Sequence, residues 1–223
     1  MSEICEASYE RASLWLSKQP EWASLITRVG PCGHQAKPER EPYEALIRAI
    51  AYQQLTARAG DAILARLRAA FMTEASAFPS PAQLENASPE LLRQCGFSTR
   101  KVATLQAIAQ GARTGLVPGR KEAVMLSDEE LVARLTSLKG IGRWTVEMLL
   151  IYTLERMDIM PLDDFGIAEG LHFLYAPEGV LSRRELRILS EKCAPYRTVA
   201  SWYLWRIPQL PGYREFKASR PGR

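Results

Sequence analysis

Two adjacent carboxylates, Asp163 and Asp164, follow Pro161 and open an apolar segment. An acid at the start of a helix commonly caps the backbone amides there, and one of the two acids is expected to do so. Two neighbouring carboxylates repel each other, so the other could face a cleft. A carboxylate that faces a reacting sugar can stabilise an oxocarbenium-like centre or activate water, as glycosyl-transfer chemistry requires. For an isolated Asp-Asp pair, simple capping is the favoured interpretation.

A glycine-containing turn precedes the acids, in the stretch LKGIGRWTVEMLL. Gly140 and Gly142 flank Ile141 between two amphipathic segments, and their amides, with those that open the next helix, form an anion site. Ile141 is expected to plug the space between the helices, while Lys139 and Arg143 add positive charge. This pattern is typical of a helix-hairpin-helix that binds a nucleic-acid phosphate without reading bases. The alternative is a glycine C-cap between two packed helices.

The elements that must position these residues are helices. Apolar residues recur at helical spacing and alternating strand patterns are nearly absent, so the sequence predicts an all-α fold. Ser88, Ser98 and the S-x-x-E box at Ser127 are predicted N-caps, and residues 30–42 are predicted to be a loop. The helices are expected at about 42–55, 57–71, 88–95, 98–112, 127–138, 143–154, 163–174, 182–193 and 196–207.

Composition excludes several classes of protein. The 223 residues are 47% apolar, and no apolar run approaches the length of a membrane span. The N-terminus does not read as a signal peptide. The four cysteines (Cys5, Cys32, Cys95 and Cys193) are scattered without metal-ligand spacing, which favours reduced thiols in an intracellular protein. Ten basic and three acidic residues between 183 and 223 could favour an anionic partner, or simply form a solvated face.

The motifs L-K-G-I-G-R-W-T and P-L-D-D-F-G-I together resemble the helix-hairpin-helix (HhH-GPD) superfamily of base-excision DNA glycosylases. Within it, the chain is most similar to the 3-methyladenine DNA glycosylase II branch, over about residues 42–208. The resemblance implies that Asp164 is the catalytic residue and that Asp163 is its capping neighbour. It also implies hairpin contacts with DNA from Lys139, Gly140, Ile141, Gly142, Arg143 and Thr145.

Trp144 bears on the type of reaction. Superfamily members that also cut the DNA backbone carry a lysine at this position, and tryptophan cannot form a Schiff base, so no lyase activity is expected. An indole can instead stack on an extruded, cationic base. This base pocket is extended to Phe165 and, by the resemblance, to Tyr196. Met148, one helical turn beyond Trp144, could line the pocket or equally belong to the core, and Trp202 and Trp205 are assigned to core packing.

The stretch AYQQLTARAG resembles the loop that enters the minor groove in this branch. Leu55 would be the wedge that fills the gap left by the flipped base, with Gln53 and Gln54 touching the opposite strand. From spacing alone, Leu55 would be interpreted as an ordinary core or loop leucine.

The resemblance also implies an architecture of two helical subdomains with a cleft between them. Residues 42–162 would form the central bundle, and 1–41 with 163–223 the second subdomain, with no room for the N-terminal β domain of some members. No cofactor is expected. An iron–sulfur cluster needs clustered cysteines, whereas Cys193 stands alone near the C-terminus; the hairpin carbonyls could hold a monovalent cation, as in relatives.

The predicted function is a monofunctional glycosylase that flips alkylated purines such as 3-methyladenine or 7-methylguanine out of double-stranded DNA and hydrolyses their glycosidic bond. The protein is expected to be a monomer, located with the DNA inside the cell and away from membranes. The alternatives are a non-catalytic DNA-binding module, a glycosylase for another lesion class, and a helical protein-interaction domain.

Overall fold

The computed structural model describes residues 3–72, 78–176 and 179–219, except for the side chains of residues 3–6 and 57. Fourteen α-helices and one 3-10 turn make up the secondary structure of these residues, which contain no strand. The predicted all-α class is therefore confirmed. The helices are α1 Glu3–Leu16, α2 Pro20–Val29, α3 Pro42–Tyr52, α4 Ala57–Phe71, α5 Pro81–Glu85, α6 Pro89–Gln94, α7 Thr99–Thr114, α8 Arg120–Ala123, α9 Asp128–Thr136, α10 Arg143–Tyr152, α11 Phe165–Tyr175, α12 Arg183–Glu191, α13 Arg197–Leu204 and α14 Tyr213–Ala218, with the 3-10 turn at Ile207–Gln209.

The chain divides into two compact units, one formed by Ala36–Glu155 and the other by Met1–Gln35 with Arg156–Arg223. We call them the central unit and the terminal unit. In the central unit, α3 packs against α4, α7 and α10, and α9 packs against α10. The apolar faces of these helices supply fully buried side chains such as Leu46, Ile50 and Leu105.

The terminal unit is organised around α13, which contacts α1, α2 and α11. Its core contains Trp22, Leu171 and Tyr203. Because α13 is buried along most of its length, its two ends are well placed to hold the loops that enter and leave it.

The local start signals in the sequence are confirmed. Ser88 and Ser98 accept hydrogen bonds as N-caps of α6 and α7, and Ser127 forms a complete capping box with Glu130 at the start of α9. The predicted loop is also present, since residues 30–41 form no helix.

Two further sequence inferences concern membranes and thiols. None of the described helices is long and apolar enough to cross a membrane. Cys32, Cys95 and Cys193 are free thiols, and burial raises the pKa of Cys193 to about 12. The side chain of Cys5 lies outside the described residues.

Candidate active site and DNA-contact loops

Asp164 is held by two donors at the N-terminus of α11. Its Oδ1 accepts the backbone N–H of Ile167 at 3.1 Å and the indole Nε1–H of Trp205 at 3.1 Å. Gly166 makes this approach feasible, since a Cβ there would lie 3.1 Å from both Asp164 Oδ1 and Trp205 Cδ1. The carboxylate is partly buried, and the two hydrogen bonds fix its direction at the start of the helix.

The roles of the two neighbouring acids correct one expectation. The family resemblance implies that Asp163 is the capping neighbour, but the N-cap is Asp164 itself. Asp163 is exposed and instead pairs with Arg183, 2.6 Å from its Oδ1. Because capping and a role in chemistry use the same carboxylate, Asp164 gains its orientation from the helix that it caps.

The segment before Asp164 is bound to the other end of α13. Asp158 receives two 2.8 Å hydrogen bonds from the guanidinium of Arg197. Thr198 Oγ1 accepts the amide of Ile159 at 3.1 Å, and Ser201 Oγ donates to the Ile159 carbonyl at 3.1 Å. Burial acts to raise the pKa of Asp158, but the Arg197 hydrogen bonds outweigh it and hold that pKa below its usual value. One helix therefore positions both the approach to Asp164 and, through Trp205, its side chain.

Phe165, the first residue of α11, is 69% exposed. The ammonium of Lys217 lies 6.0 Å from the centre of its ring, within cation–π range. An exposed aromatic ring next to Asp164 in the chain is available to stack against a ligand.

Tyr196 lies at the opposite end of α13 from Trp205, the residue that contacts Asp164, and its assignment to the base pocket stays a prediction. It is the N-cap of α13, whereas Trp205 ends the same helix. The eight residues of α13 lie between the two positions and separate their Cα atoms by about 13 Å. The Tyr196 ring packs edge-on against Trp15, with the ring centres 5.6 Å apart. Tyr196 therefore belongs to the packing of the terminal unit.

The glycine turn between α9 and α10 forms the predicted hairpin in the central unit. Gly140 has a φ of +93°, which favours glycine, and a Cβ there would lie 2.1 Å from Thr104 Oγ1. Gly142 has an ordinary extended conformation and open space around it. Its carbonyl accepts the amides of Thr145 and Val146, and within the described residues α10 has no side-chain cap. This exposed helix start is suited to an anion.

The side chains around the turn have different roles. Ile141 is 6% exposed, which confirms the predicted apolar plug. Lys139 is exposed and makes no ion pair with any residue that the structure describes. Arg143, by contrast, forms two hydrogen bonds with Glu129, at 2.6 and 3.1 Å, and one with Glu147 at 3.1 Å. The positive charge expected from Arg143 is thus partly offset, leaving Lys139 as the cation directed at solvent.

Helix α10 exposes one stripe of its surface. Trp144 and Met148, one turn apart, are partly exposed, while their neighbours Thr145 and Leu149 are buried. The pair is available as an aromatic and thioether surface. Thr145 is only 1% exposed and its hydroxyl accepts the amide of Gln53 at 3.1 Å. The side chain is therefore buried, and the DNA contact expected of Thr145 stays a prediction.

The predicted wedge loop is a tight turn at the end of α3. Gln54 has a φ of +57°, and the Leu55 amide donates to the Tyr52 carbonyl at 3.1 Å. Leu55 is 44% exposed, so of the two alternatives that spacing suggests, a core or a loop leucine, the core leucine is excluded. Gln53 directs its amide to Thr145 inside the protein.

Two side chains near these sites were missed by the sequence analysis. Trp205 was assigned to packing alone, and its contact with Asp164 spans 41 positions, so no local pattern indicates it. Lys101 was not singled out, yet its ammonium donates to the backbone carbonyls of Ala51, near the end of α3, and Gln53, in the turn before Leu55. A signal for it exists, since Lys101 falls in register with the buried stripe Thr104, Leu105 and Ile108 of α7.

No group of three or more His, Cys, Asp or Glu side chains suited to a metal ion occurs among the described residues.

Comparison with known proteins places these loops in a family. The model of the HhH-GPD superfamily of base excision DNA repair proteins matches residues 47–195. The chain is 43% identical over 208 residues to DNA-3-methyladenine glycosylase 1 of Schizosaccharomyces pombe, covering 92% of this chain and 90% of that protein. It is 38% identical to the alkylbase DNA glycosidase-like protein mag2 of the same organism, covering 92% and 96%.

Solved structures agree with the sequence matches. The S. pombe 3-methyladenine DNA glycosylase Mag1 in complex with abasic DNA aligns with a TM-score of 0.83 at 42% identity, covering 90% of this chain and 98% of that one. The DNA-3-methyladenine glycosidase of Bacillus halodurans aligns with a TM-score of 0.73 at 30% identity, covering 92% and 89%. The resemblance carried by the hairpin and the aspartate is confirmed: the chain belongs to the HhH-GPD superfamily of base excision DNA repair proteins, in its 3-methyladenine DNA glycosylase branch.

Proposed function

We propose that the protein is a DNA-3-methyladenine glycosylase of base excision repair that removes alkylated purines from double-stranded DNA by hydrolysis. The observation that carries the proposal is the geometry of Asp164, a carboxylate oriented by the Trp205 indole and the first turn of α11. The similarity to S. pombe DNA-3-methyladenine glycosylase 1 over most of both chains supports the same activity.

The hairpin supplies the grip on DNA. No described side chain caps the start of α10, and this helix start binds one phosphate together with the exposed ammonium of Lys139. The open space at Gly142 lets the phosphate approach the amides. Such a contact carries no sequence information, as suits an enzyme whose substrate is defined by a damaged base.

Leu55 and the aromatic residues act on the target base. Leu55 inserts into the base stack and fills the gap left by the nucleotide that rotates out. Unstacking that nucleotide costs roughly a few kcal/mol, and this cost is least for a damaged base. Trp144 and Met148 of α10, and Phe165 of α11, are assigned to recognition of the extruded base. A methylated purine ring is cationic, and aromatic faces attract cations.

Asp164 promotes the bond cleavage. The glycosidic bond breaks with its electron pair going to the cationic base, which leaves as a neutral molecule, while positive charge develops on the sugar. The Asp164 carboxylate stabilises that charge and orients the water whose oxygen bonds to the sugar carbon; the water's proton passes to the carboxylate or to solvent. The products are a free base and an abasic site. Trp144 cannot supply the amine needed for strand cleavage.

Release of free bases from methylated duplex DNA tests the proposal. We expect the native chain to release 3-methyladenine or 7-methylguanine, and Asp164→Asn to lose about a hundredfold or more of the rate, since a positioned catalytic side chain contributes this much. Asparagine still caps a helix, so folding and DNA binding should persist. Asp163→Asn is the matched control and should keep the native rate.

The outcomes separate the alternatives. Tight DNA binding without base release by the native chain would favour a binding module, or a lesion outside this substrate set. Equal release by the native chain and Asp164→Asn would contradict the assignment of Asp164.

A further inference from the structure

The turn formed by Gln53, Gln54 and Leu55, which we call the wedge turn, presents an exposed apolar side chain on a constrained backbone. Gln54 adopts the left-handed region that non-glycine residues rarely occupy, and Leu55 follows it at the tip. A residue persists in such a conformation when the surrounding structure imposes it. The contacts made by the turn therefore decide whether Leu55 keeps one direction.

Lys101 restrains the turn from α7. Its Nζ donates to the Gln53 carbonyl at 2.8 Å and to the Ala51 carbonyl at 3.3 Å. These carbonyls lie at the C-terminal end of α3, where the helix dipole favours a cation. Burial lowers the pKa of Lys101, which marks a partly desolvated ammonium whose hydrogen bonds are less weakened by water.

The same face of α7 also supports the hairpin. Thr104 lies three residues after Lys101 and therefore next to it on the helix surface. The backbone of Gly140 approaches Thr104 so closely that a Cβ would fall 2.1 Å from its hydroxyl oxygen. One helical turn of α7 thus contacts both the wedge turn and the hairpin, the latter at Gly140.

A second connection links the two turns from the side of α10. The amide of Gln53 donates to Thr145 Oγ1 at 3.1 Å, three residues after Gly142. Thr145 is buried, so the acceptor of this part-buried hydrogen bond is shielded from solvent. The two connections are independent in the chain, yet both join the same turns.

We infer that Lys101 is a positioning residue which, together with Thr145, holds the wedge turn in fixed register with the hairpin, so that leucine insertion and phosphate binding act on the same stretch of DNA. The inference rests on the proposed function. It assigns to Lys101 an effect on base flipping and none on the chemistry of the extruded base.

Single-turnover base release separates these steps. The substrates are duplexes with one 7-methylguanine opposite cytosine or opposite an abasic-site analogue, where little pairing opposes extrusion. We expect Lys101→Met to slow release about tenfold for the paired lesion and less than about twofold for the unpaired one, since hydrogen bonds to a charged group are among the stronger ones. Arg100→Met is the matched control: it removes the same charge from the neighbouring, exposed position and should affect both substrates equally.

Thr145→Val provides a second variant in case Lys101→Met folds poorly. It removes the acceptor of Gln53 at a buried site with little change in shape, and it should show the same preference for the unpaired lesion. In a Leu55→Ala background, Lys101→Met should add no further bias, because both changes act through one wedge.

Equal slowing of both substrates by Lys101→Met and Thr145→Val, or a bias that persists without Leu55, would overturn the inference. Failure of the native chain to release any base would instead contradict the proposed function, so the two failures are distinguishable.

Discussion

The N-termini of α10 and α11 differ in how their backbone amides are satisfied. At α11, the carboxylate of Asp164 accepts the amide of Ile167. At α10, Gly142 occupies the cap position and, in the part of the chain that the structure describes, no side chain caps the helix. Both ends carry the same partial positive charge from the helix dipole.

The difference shows how one physical feature serves two purposes. In α11 the dipole is used internally, to fix an anionic side chain in one direction. In α10 the amides remain accessible, and a glycine without a side chain lets an external anion reach them. The comparison predicts that changes at α10 affect DNA binding, whereas changes around α11 affect the rate of base release.

The largest effect is expected at the hairpin glycines. In Gly140→Ala the new Cβ meets Thr104 Oγ1 at 2.1 Å on a backbone with φ of +93°, so the hairpin must shift. We expect DNA affinity to fall at least tenfold, with a loss of stability of about 1–3 kcal/mol. Gly142→Ala is the matched control, since nothing lies within 4 Å of its Cβ, and its stability should stay native. Fluorescence anisotropy titrations at fixed salt measure the DNA affinity, and urea unfolding measures the stability. Equal destabilisation by Gly140→Ala and Gly142→Ala would contradict the expected difference between the two glycines.

The next effect concerns the orientation of Asp164. Trp205→Phe keeps an aromatic ring but removes the indole N–H that donates to Oδ1. We expect base release to slow by about tenfold with DNA affinity unchanged, because hydrogen bonds to charged groups contribute about 1.5–3 kcal/mol. Trp202→Phe is the control: it makes the same chemical change in the core and should lower stability without slowing the folded enzyme. A Trp205→Phe enzyme with the native rate would show that the cap alone orients Asp164.

The sequence predicts those features of the molecule that are formed by residues close together in the chain. The Ser127 capping box and the glycine turn after α9 are set by residues within a few positions of each other, so pattern alone predicted them. The contacts of Asp164 with Trp205 and of Lys101 with Gln53 span 41 and 48 positions, and only folding brings those residues together.

Asp163, Thr145 and Tyr196 show the same limit. Either of two adjacent acids can cap a helix; here Asp164 caps α11, while Asp163 pairs with Arg183, 20 positions away. Thr145 follows directly on the hairpin in sequence, but the turn of the helix points it towards Gln53 and the interior. Tyr196 shares α13 with Trp205, and helix length alone separates them. Proximity in sequence did not predict proximity in space for these residues.

A smaller effect would sharpen the role of Arg143. The Arg143 hydrogen bonds lower the pKa of Glu129, and two carboxylates offset the arginine's charge beside the phosphate site. Glu129→Gln should therefore raise DNA affinity by about threefold at low salt, with the gain shrinking as screening increases. Glu90→Gln is the control, because it makes the same charge change on the exposed part of α6. If both variants gain equally, net charge and not Arg143 is responsible.

The smallest effect tests the support beneath Asp164 through pH. The Arg197 hydrogen bonds outweigh burial and lower the folded-state pKa of Asp158, so this pair stabilises the fold above the ordinary aspartate pKa of about 4 and ceases to do so as pH falls through the lower folded value. At pH 7, Asp158→Asn should accordingly unfold at a lower urea concentration than the native chain. This gap between the two unfolding midpoints should close below about pH 4. A gap of constant size at all pH values would mean that Asp158 acts by packing.

The hydrogen bonds of Thr198 and Ser201 to Ile159 remain in the variant, so base release at pH 7 should change little. Several weak contacts, and not one ion pair, would then fix the loop that presents Asp164.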